Sequence, residues 1–213
     1  SGKLSDTWAK QYDDIPFARE YSYLNGNLEK EYYKEGIYVG YRYFDSFGVA
    51  PAYPFGFGLS YTDFDLSFDS LTAKGSLITV VAEVTNTGKC SGKEVVQLYA
   101  SAPEGTLCKE YQSLAAFAKS HTLAPGEAQT LELTFDMTGL ASYREEDNCY
   151  VLEKGEYKFY LGTCVRCAQK LDFTYTVEED TVTQQLKQWC KPFALKQRML
   201  SDGTYEALPM DEP

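Results

Sequence analysis

Between Phe64 and Val177 turn residues cut the chain into short alternating runs, and that rhythm limits the fold more than any other feature. Phe64, Leu66 and Phe68 alternate with polar residues. Ser76 to Thr85 is rich in β-branched residues and stops at Asn86-Thr87-Gly88. Glu94 to Ser101 holds Val95-Val96-Gln97-Leu98-Tyr99, and Leu114 to Ala118 is a further apolar run. Beyond the turn Ala124-Pro125-Gly126-Glu127, Leu131, Leu133 and Phe135 alternate strictly. Gly155 introduces Tyr157, Phe159 and Leu161, and Leu171 to Val177 closes the set. A period of two puts alternate side chains on one face of a pleated strand, and Gly, Pro and Asn end each run. About seven such strands predict a mainly β chain: an immunoglobulin or fibronectin type III-like β-sandwich, each strand burying one face against the opposite sheet. No amphipathic helix is expected between Phe64 and Glu179.

The flanks differ. Ser1 to Lys34 has no clean period, has turns at Asp13-Asp14-Ile15-Pro16 and Asn25-Gly26-Asn27, and carries many tyrosines. It reads as an extended segment that packs on something else. Gly36 to Phe44 alternates with apolar or aromatic residues on both faces, which predicts a strand covered on both sides. Pro51, Pro54, Gly56 and Gly58 then break regular structure. Downstream, Val182, Leu186 and Trp189 predict a short helix over Thr181 to Cys190, ended by Pro192. Leu200 to Pro213 reads as a polar linker.

The chemistry is restricted. The 213 residues carry a formal net charge of −11, which disfavours nucleic acid and anionic membrane surfaces, since both call for clustered Lys and Arg. No apolar run approaches the ~20 residues of a membrane-spanning helix, and Ser1 to Lys10 lacks the apolar stretch of a signal peptide. Six cysteines are present, with Cys164-Val165-Arg166-Cys167 as a CxxC that follows a strand and opens no helix; reduced, structural thiols are expected. With no Asn-x-Ser/Thr sequon, this favours a cytoplasmic setting. The single histidine, His121, lies beside a turn and is expected to be an exposed loop residue. Gly56-Phe57-Gly58 lacks the third glycine and the helix of a dinucleotide fingerprint, so neither cofactor nor metal is expected.

Carboxylates need closer weighing, because glycoside hydrolysis asks only for two facing carboxyl groups. Glu145-Glu146-Asp147 and Glu178-Glu179-Asp180 read as solvated turns. Glu35 and Asp45 bracket the expected strand, which at ~3.3 Å per residue would hold them about 30 Å apart, beyond either glycosidase geometry. Arg42 is expected in a structural ion pair with one of them, or bound to a backbone carbonyl.

Several stretches in register carry a resemblance. Glu35-Gly-Ile-Tyr-Val-Gly-Tyr-Arg-Tyr-Phe-Asp45 and Tyr53-Pro-Phe-Gly-Phe-Gly-Leu-Ser-Tyr-Thr62 resemble the end of the α/β sandwich domain of glycoside hydrolase family 3, the family of many β-glucosidases. Val84-Thr-Asn-Thr-Gly88, Glu94-Val-Val-Gln-Leu-Tyr99, Leu123-Ala-Pro-Gly-Glu127 and Gly155-Glu-Tyr-Lys-Phe-Tyr-Leu-Gly162 resemble its C-terminal fibronectin type III-like domain. The resemblance implies three parts: 1–62 as the C-terminal part of an α/β sandwich domain, 63–179 as the β-sandwich, and 180–213 as a short helix and linker. It implies a retaining enzyme whose Asp nucleophile sits on a barrel and whose Glu acid/base lies upstream of this segment, so no catalytic residue is carried over. Structural roles are expected for Glu35, Gly40, Arg42 and Asp45, and packing roles for Pro54, Phe55, Gly56 and Gly58. The partners implied are the barrel and α/β sandwich domains of the parent enzyme, with a β-linked sugar reached only through them. The alternative is a stand-alone carbohydrate-binding or structural β-sandwich. Lys191 to Lys196 and Met199 to Glu206 also resemble linkers in members where the barrel follows the sandwich.

Overall fold

The computed structural model describes residues 2–20, 29, 31–188 and 195–208. They hold twelve strands: β1 (Phe64–Lys74), β2 (Leu77–Asn86), β3 (Val95–Ser101), β4 (Ser113–Lys119), β5 (Ala128–Asp136), β6 (Ser142–Arg144), β7 (Cys149–Leu152), β8 (Gly155–Gly162), β9 (Gln169–Val177), β10 (Thr181–Gln185), β11 (Gln197–Met199) and β12 (Tyr205–Ala207). One α-helix, α1, spans Tyr41–Ser46. The seven strands expected from the alternating runs all form. Two antiparallel sheets result, in the orders β1-β2-β5 and β4-β3-β8-β9, the two layers of a fibronectin type III-like sandwich.

Sequence alternation sets which residues enter the core. On β2, Ile78, Val80, Ala82 and Val84 are fully buried, and Leu131 and Leu133 of β5 join them. Val96, Leu98 and Ala100 of β3, with Tyr157, Phe159 and Leu161 of β8, close over this layer. Each large apolar side chain so buried stabilises the fold by roughly 1.5–3 kcal/mol. β3 is buried at Val96 and every residue after it. Its core face is matched by a second buried face, Gln97, Tyr99 and Ser101, outside the sandwich core, where Gly56 and Tyr41 of the N-terminal segment approach Gln97 and Tyr99.

Three expectations are corrected. Gly36 to Phe44 is not a strand: turns occupy 34–37, and α1 begins after Gly40. Gly40 has φ +58°, which ends an extended run. The buried residues are Tyr38 and Phe44, while Ile37 and Val39 are exposed, so neither predicted face survives. Thr181 to Cys190 is not a helix as far as Gln185. Thr181-Val182-Thr183 is β-branched, and β10 adds to the edge of β7 in the sheet β10-β7-β6; Trp189 and Cys190 lie outside the described residues. The expected linker contains the antiparallel hairpin β11–β12, tied to the N-terminal segment by Met199 N–H donating to the Lys34 carbonyl at 2.9 Å. The Asn25 to Asn27 turn lies outside the described residues.

The N-terminal segment folds back on itself. Leu4 N–H donates to Phe57 O and Gly56 N–H to Leu4 O, both at 2.8 Å, and Trp8 bridges Tyr53. Among the described residues no helix is long and apolar enough to cross a membrane.

Candidate functional site: an aromatic docking seam

Residues 38–57 lie along β3, β4 and the β8–β9 turn and are held there by side chains from both sides. Phe55 stacks on Tyr41 with ring centroids 4.7 Å apart, and Tyr41 meets Tyr99 of β3 edge-on at 6.2 Å. The Tyr41 hydroxyl accepts from Leu114 N–H of β4 at 2.9 Å. The Tyr38 hydroxyl donates to Lys109 O at 3.1 Å, and its ring meets Phe47 at 4.9 Å. Burial is the main cause pushing the Tyr38 and Tyr99 phenols far above their ordinary range.

Gly56 sits where the backbone passes close to Gln97 of β3. Its φ is +78°, and a Cβ there would lie 2.3 Å from Gln97 Oε1. Gln97 is itself fixed, donating through Nε2 to Thr163 O at 2.8 Å. A Cβ on Gly58 would lie 2.4 Å from the Gly2 carbonyl. The Pro54 carbonyl accepts from Phe57 N–H at 3.1 Å, closing the turn between them. Lys3 reaches Glu94, at the start of β3, at 2.8 Å, with both side chains mostly buried.

The expected residues are placed as follows. Glu35 is 4% exposed, and its carbonyl accepts from Tyr38 N–H at 3.0 Å. Arg42 pairs with neither Glu35 nor Asp45; its Nε lies 3.5 Å from Glu110 and its Nη2 donates to Ser113 Oγ at 3.4 Å. The strand that was to separate Glu35 and Asp45 does not exist, so that distance argument falls with it. Asp45 is instead gripped by Arg166, whose Nε donates to its Oδ1 at 2.7 Å. The Arg166 Nη2 donates to Phe44 O at 3.2 Å and Val49 O at 2.7 Å. With only 7% of its side chain exposed, Asp45 has its carboxyl pushed up by burial, against the pull of Arg166. Sequence reasoning missed Arg166, because a partner 121 residues away leaves no local pattern.

The CxxC expectation is also corrected. Cys164 and Cys167 form a disulfide; the tight β8–β9 turn brings their Cα atoms to 5.0 Å, within disulfide span. Cys90, Cys108 and Cys149 are unpaired.

The other candidates are spent on structure. His121 is exposed and contacts Glu127 at 3.0 Å. Glu145 pairs with Arg198, and Arg144 with Asp147 at 2.8 Å and Asp180 at 3.6 Å. Arg144, Glu145, Asp147, Asp180 and Arg198 line a cavity of about 1090 Å³, and the Arg198–Glu145 pair ties hairpin β11–β12 to the β6–β7 turn. Among the described residues no cluster of three or more His, Cys, Asp or Glu is arranged to hold a metal.

Comparison with known proteins fits this architecture. Residues 94–164 match the fibronectin type III-like domain. The chain is 41% identical over 235 aligned residues to β-glucosidase A of Butyrivibrio fibrisolvens, covering 100% of this chain and 28% of that protein. It is 37% identical to a β-glucosidase of Ruminococcus albus, covering 99% of this chain and 23% of the relative. Among solved structures, a β-glucosidase from Paenibacillus barengoltzii superposes with a TM-score of 0.85 at 37% identity, covering 100% of this chain and 25% of that one. The GH3 β-glucosidase of Bifidobacterium adolescentis gives a TM-score of 0.73 at 29% identity, over 89% of this chain and 28% of its own. Over its whole length the chain is similar to one part of these β-glucosidases, one of them a GH3 enzyme. It spans about a quarter of the length of the β-glucosidases it matches. The fibronectin type III-like match takes in β3 to β8, and the likeness extends through the aromatic segment, since the Butyrivibrio and Paenibacillus matches cover the whole chain.

Proposed function

We propose that this chain is a non-catalytic, stabilising part of a family 3 retaining β-glycosidase acting on β-glucosides. One observation carries the reading. The N-terminal segment meets β3 through Tyr41 and Gly56, yet Trp8, Tyr33, Val39, Tyr53, Leu59 and Tyr61 stay between 44% and 101% exposed. Large apolar groups gathered on one exposed segment mark a surface that another element covers. Residues 1–62 are then the closing part of an α/β sandwich domain whose remainder covers that face, 63–179 the fibronectin type III-like domain, and 180–213 the connection onward. In this reading Glu35, Gly40, Arg42 and Asp45 shape the α1 turn, and Pro54, Phe55, Gly56 and Gly58 seat the following loop. The barrel and the rest of the α/β domain are the partners, and they supply the nucleophile and the acid/base. The names of the β-glucosidase relatives support the substrate class. For the compartment, the Cys164–Cys167 disulfide weighs against the reducing, cytoplasmic setting expected from the sequence, and the exposed, unpaired Cys90 weighs for it.

The test is an aryl β-glucoside assay on this chain alone, on the remaining domains alone, and on the two combined. Activity is expected only when the remaining domains are present, and it should rise when this chain is added. Turnover by this chain alone would overturn the reading, as would full, stable activity of the other domains without it.

A further inference from the structure

We propose that the Cys164–Cys167 disulfide is a site of thiol–disulfide exchange, and that its reduction loosens the clasp between the sandwich and the aromatic segment. The inference is independent of the parent enzyme's activity. It rests on what the four residues of this turn do. Val165 N–H donates to Phe55 O at 3.1 Å, and the Val165 carbonyl accepts from Gln112 Nε2 at 3.0 Å. Arg166 makes all three contacts to Asp45, Phe44 and Val49. The cysteines on either side close the loop that presents them.

The two sulfurs are inequivalent. Cys164 is 3% exposed, whereas Cys167 is exposed. A dithiol reductant therefore attacks at Cys167 Sγ. The S–S bond breaks, and Cys164 leaves as the thiolate. Cys167 N–H donates to Cys164 Sγ at 3.0 Å, which stabilises charge on that leaving sulfur. The reductant's second thiolate then attacks its own sulfur in the mixed disulfide and releases Cys167. The reductant ends as a disulfide, the protein as two thiols, and each thiolate takes a proton from solvent. Without the bond, the turn keeps its Val165 and Arg166 contacts only by paying the entropy of ordering a free loop.

The experiment is hydrogen exchange on the full chain, with and without dithiothreitol, with alkylation and mass analysis to count thiols at Cys164 and Cys167. Without reductant, both should resist alkylation. With it, both should react, and exchange at residues 44–56 should quicken by about tenfold or more while β2 and β5 stay protected, as expected of a local opening. Cys167→Ser, at an exposed position, should exchange quickly with or without reductant. Arg166→Ala should loosen 44–56 even when oxidised. Free thiols at both positions in the untreated chain would overturn the proposal. So would complete reduction that leaves exchange at 44–56 unchanged.

Discussion

Asn86, fully buried at the end of β2, uses all its side-chain hydrogen-bonding groups. Its Nδ2 donates to Cys90 O at 2.8 Å and Leu123 O at 2.9 Å; its Oδ1 accepts from Thr62 Oγ1 at 2.7 Å and Gly88 N–H at 3.1 Å. It joins the first sheet, the β2–β3 turn and the residue where the sandwich begins. Asn86→Asp keeps the shape but turns a carboxylate oxygen toward two carbonyls. A loss of about 3 kcal/mol or more is expected in urea denaturation, since each orphaned buried group costs about 1–3 kcal/mol. Glu153 is the second such residue. It is 4% exposed, pairs with Lys109, and accepts from the Thr106 N–H and hydroxyl at 2.8 Å, fixing the loop before β4. Burial alone would raise its pKa, but the Lys109 and Thr106 hydrogen bonds prevail and lower it. A depressed carboxylate stabilises the fold above its unfolded pKa, and that contribution drains away as pH falls through the folded value. Glu153→Ala should cost about 3–5 kcal/mol at neutral pH by leaving Lys109 buried and uncompensated. In acid the gap to wild type should narrow, as a denaturation series across pH would record.

At the scale of elements, the loop 53–58 fits β3 only because Gly56 has no side chain. Gly56→Ala places a Cβ against Gln97 and forces a non-glycine residue into positive φ. Thermal unfolding should fall by the equivalent of about 1–3 kcal/mol, and exchange along 53–58 should rise before that of β5. The sandwich strands were legible in the sequence because each is half-buried and alternates. Ile78, Val80, Ala82 and Val84 are a pattern that water and core impose together. The short elements were not legible. α1 is six residues long, too short for its own period to speak, and is held by contacts from Phe55 and Arg166 distant in sequence. β10 rested on three apolar positions read as a helix, where the edge of β7 decided otherwise. The seam was legible as aromatic and glycine-rich, but its cation was not, and the Arg42 pairing fell to Glu110 instead.

Across the whole molecule, buried phenols tie stability to pH from the alkaline side. Tyr38 and Tyr99 lie in the seam and Tyr157 in the sandwich core, where burial first, then the nearby Glu153 charge, pushes its pKa up to about 12. A phenol raised in the folded state contributes stability that is whole below its unfolded pKa near 10 and is lost as pH climbs through the folded value. These three should therefore stay protonated in the folded chain, and should titrate together as it unfolds. A phenolate absorbance titration beside circular dichroism checks this. Three separate ionisations in a folded chain would contradict it.

The 121-residue separation between Asp45 and Arg166 also sets an order of events during synthesis. At about 5–20 residues per second, α1 and its aromatic neighbours leave the ribosome roughly 6–24 s before the β8–β9 turn that will clasp them exists. Until then Asp45 has no Arg166 to hold it, and early in that wait Tyr41 has neither Tyr99 of β3 nor Leu114 of β4 to meet. The seam can therefore close only after its second half is made, and α1 waits for the sandwich strands that hold it.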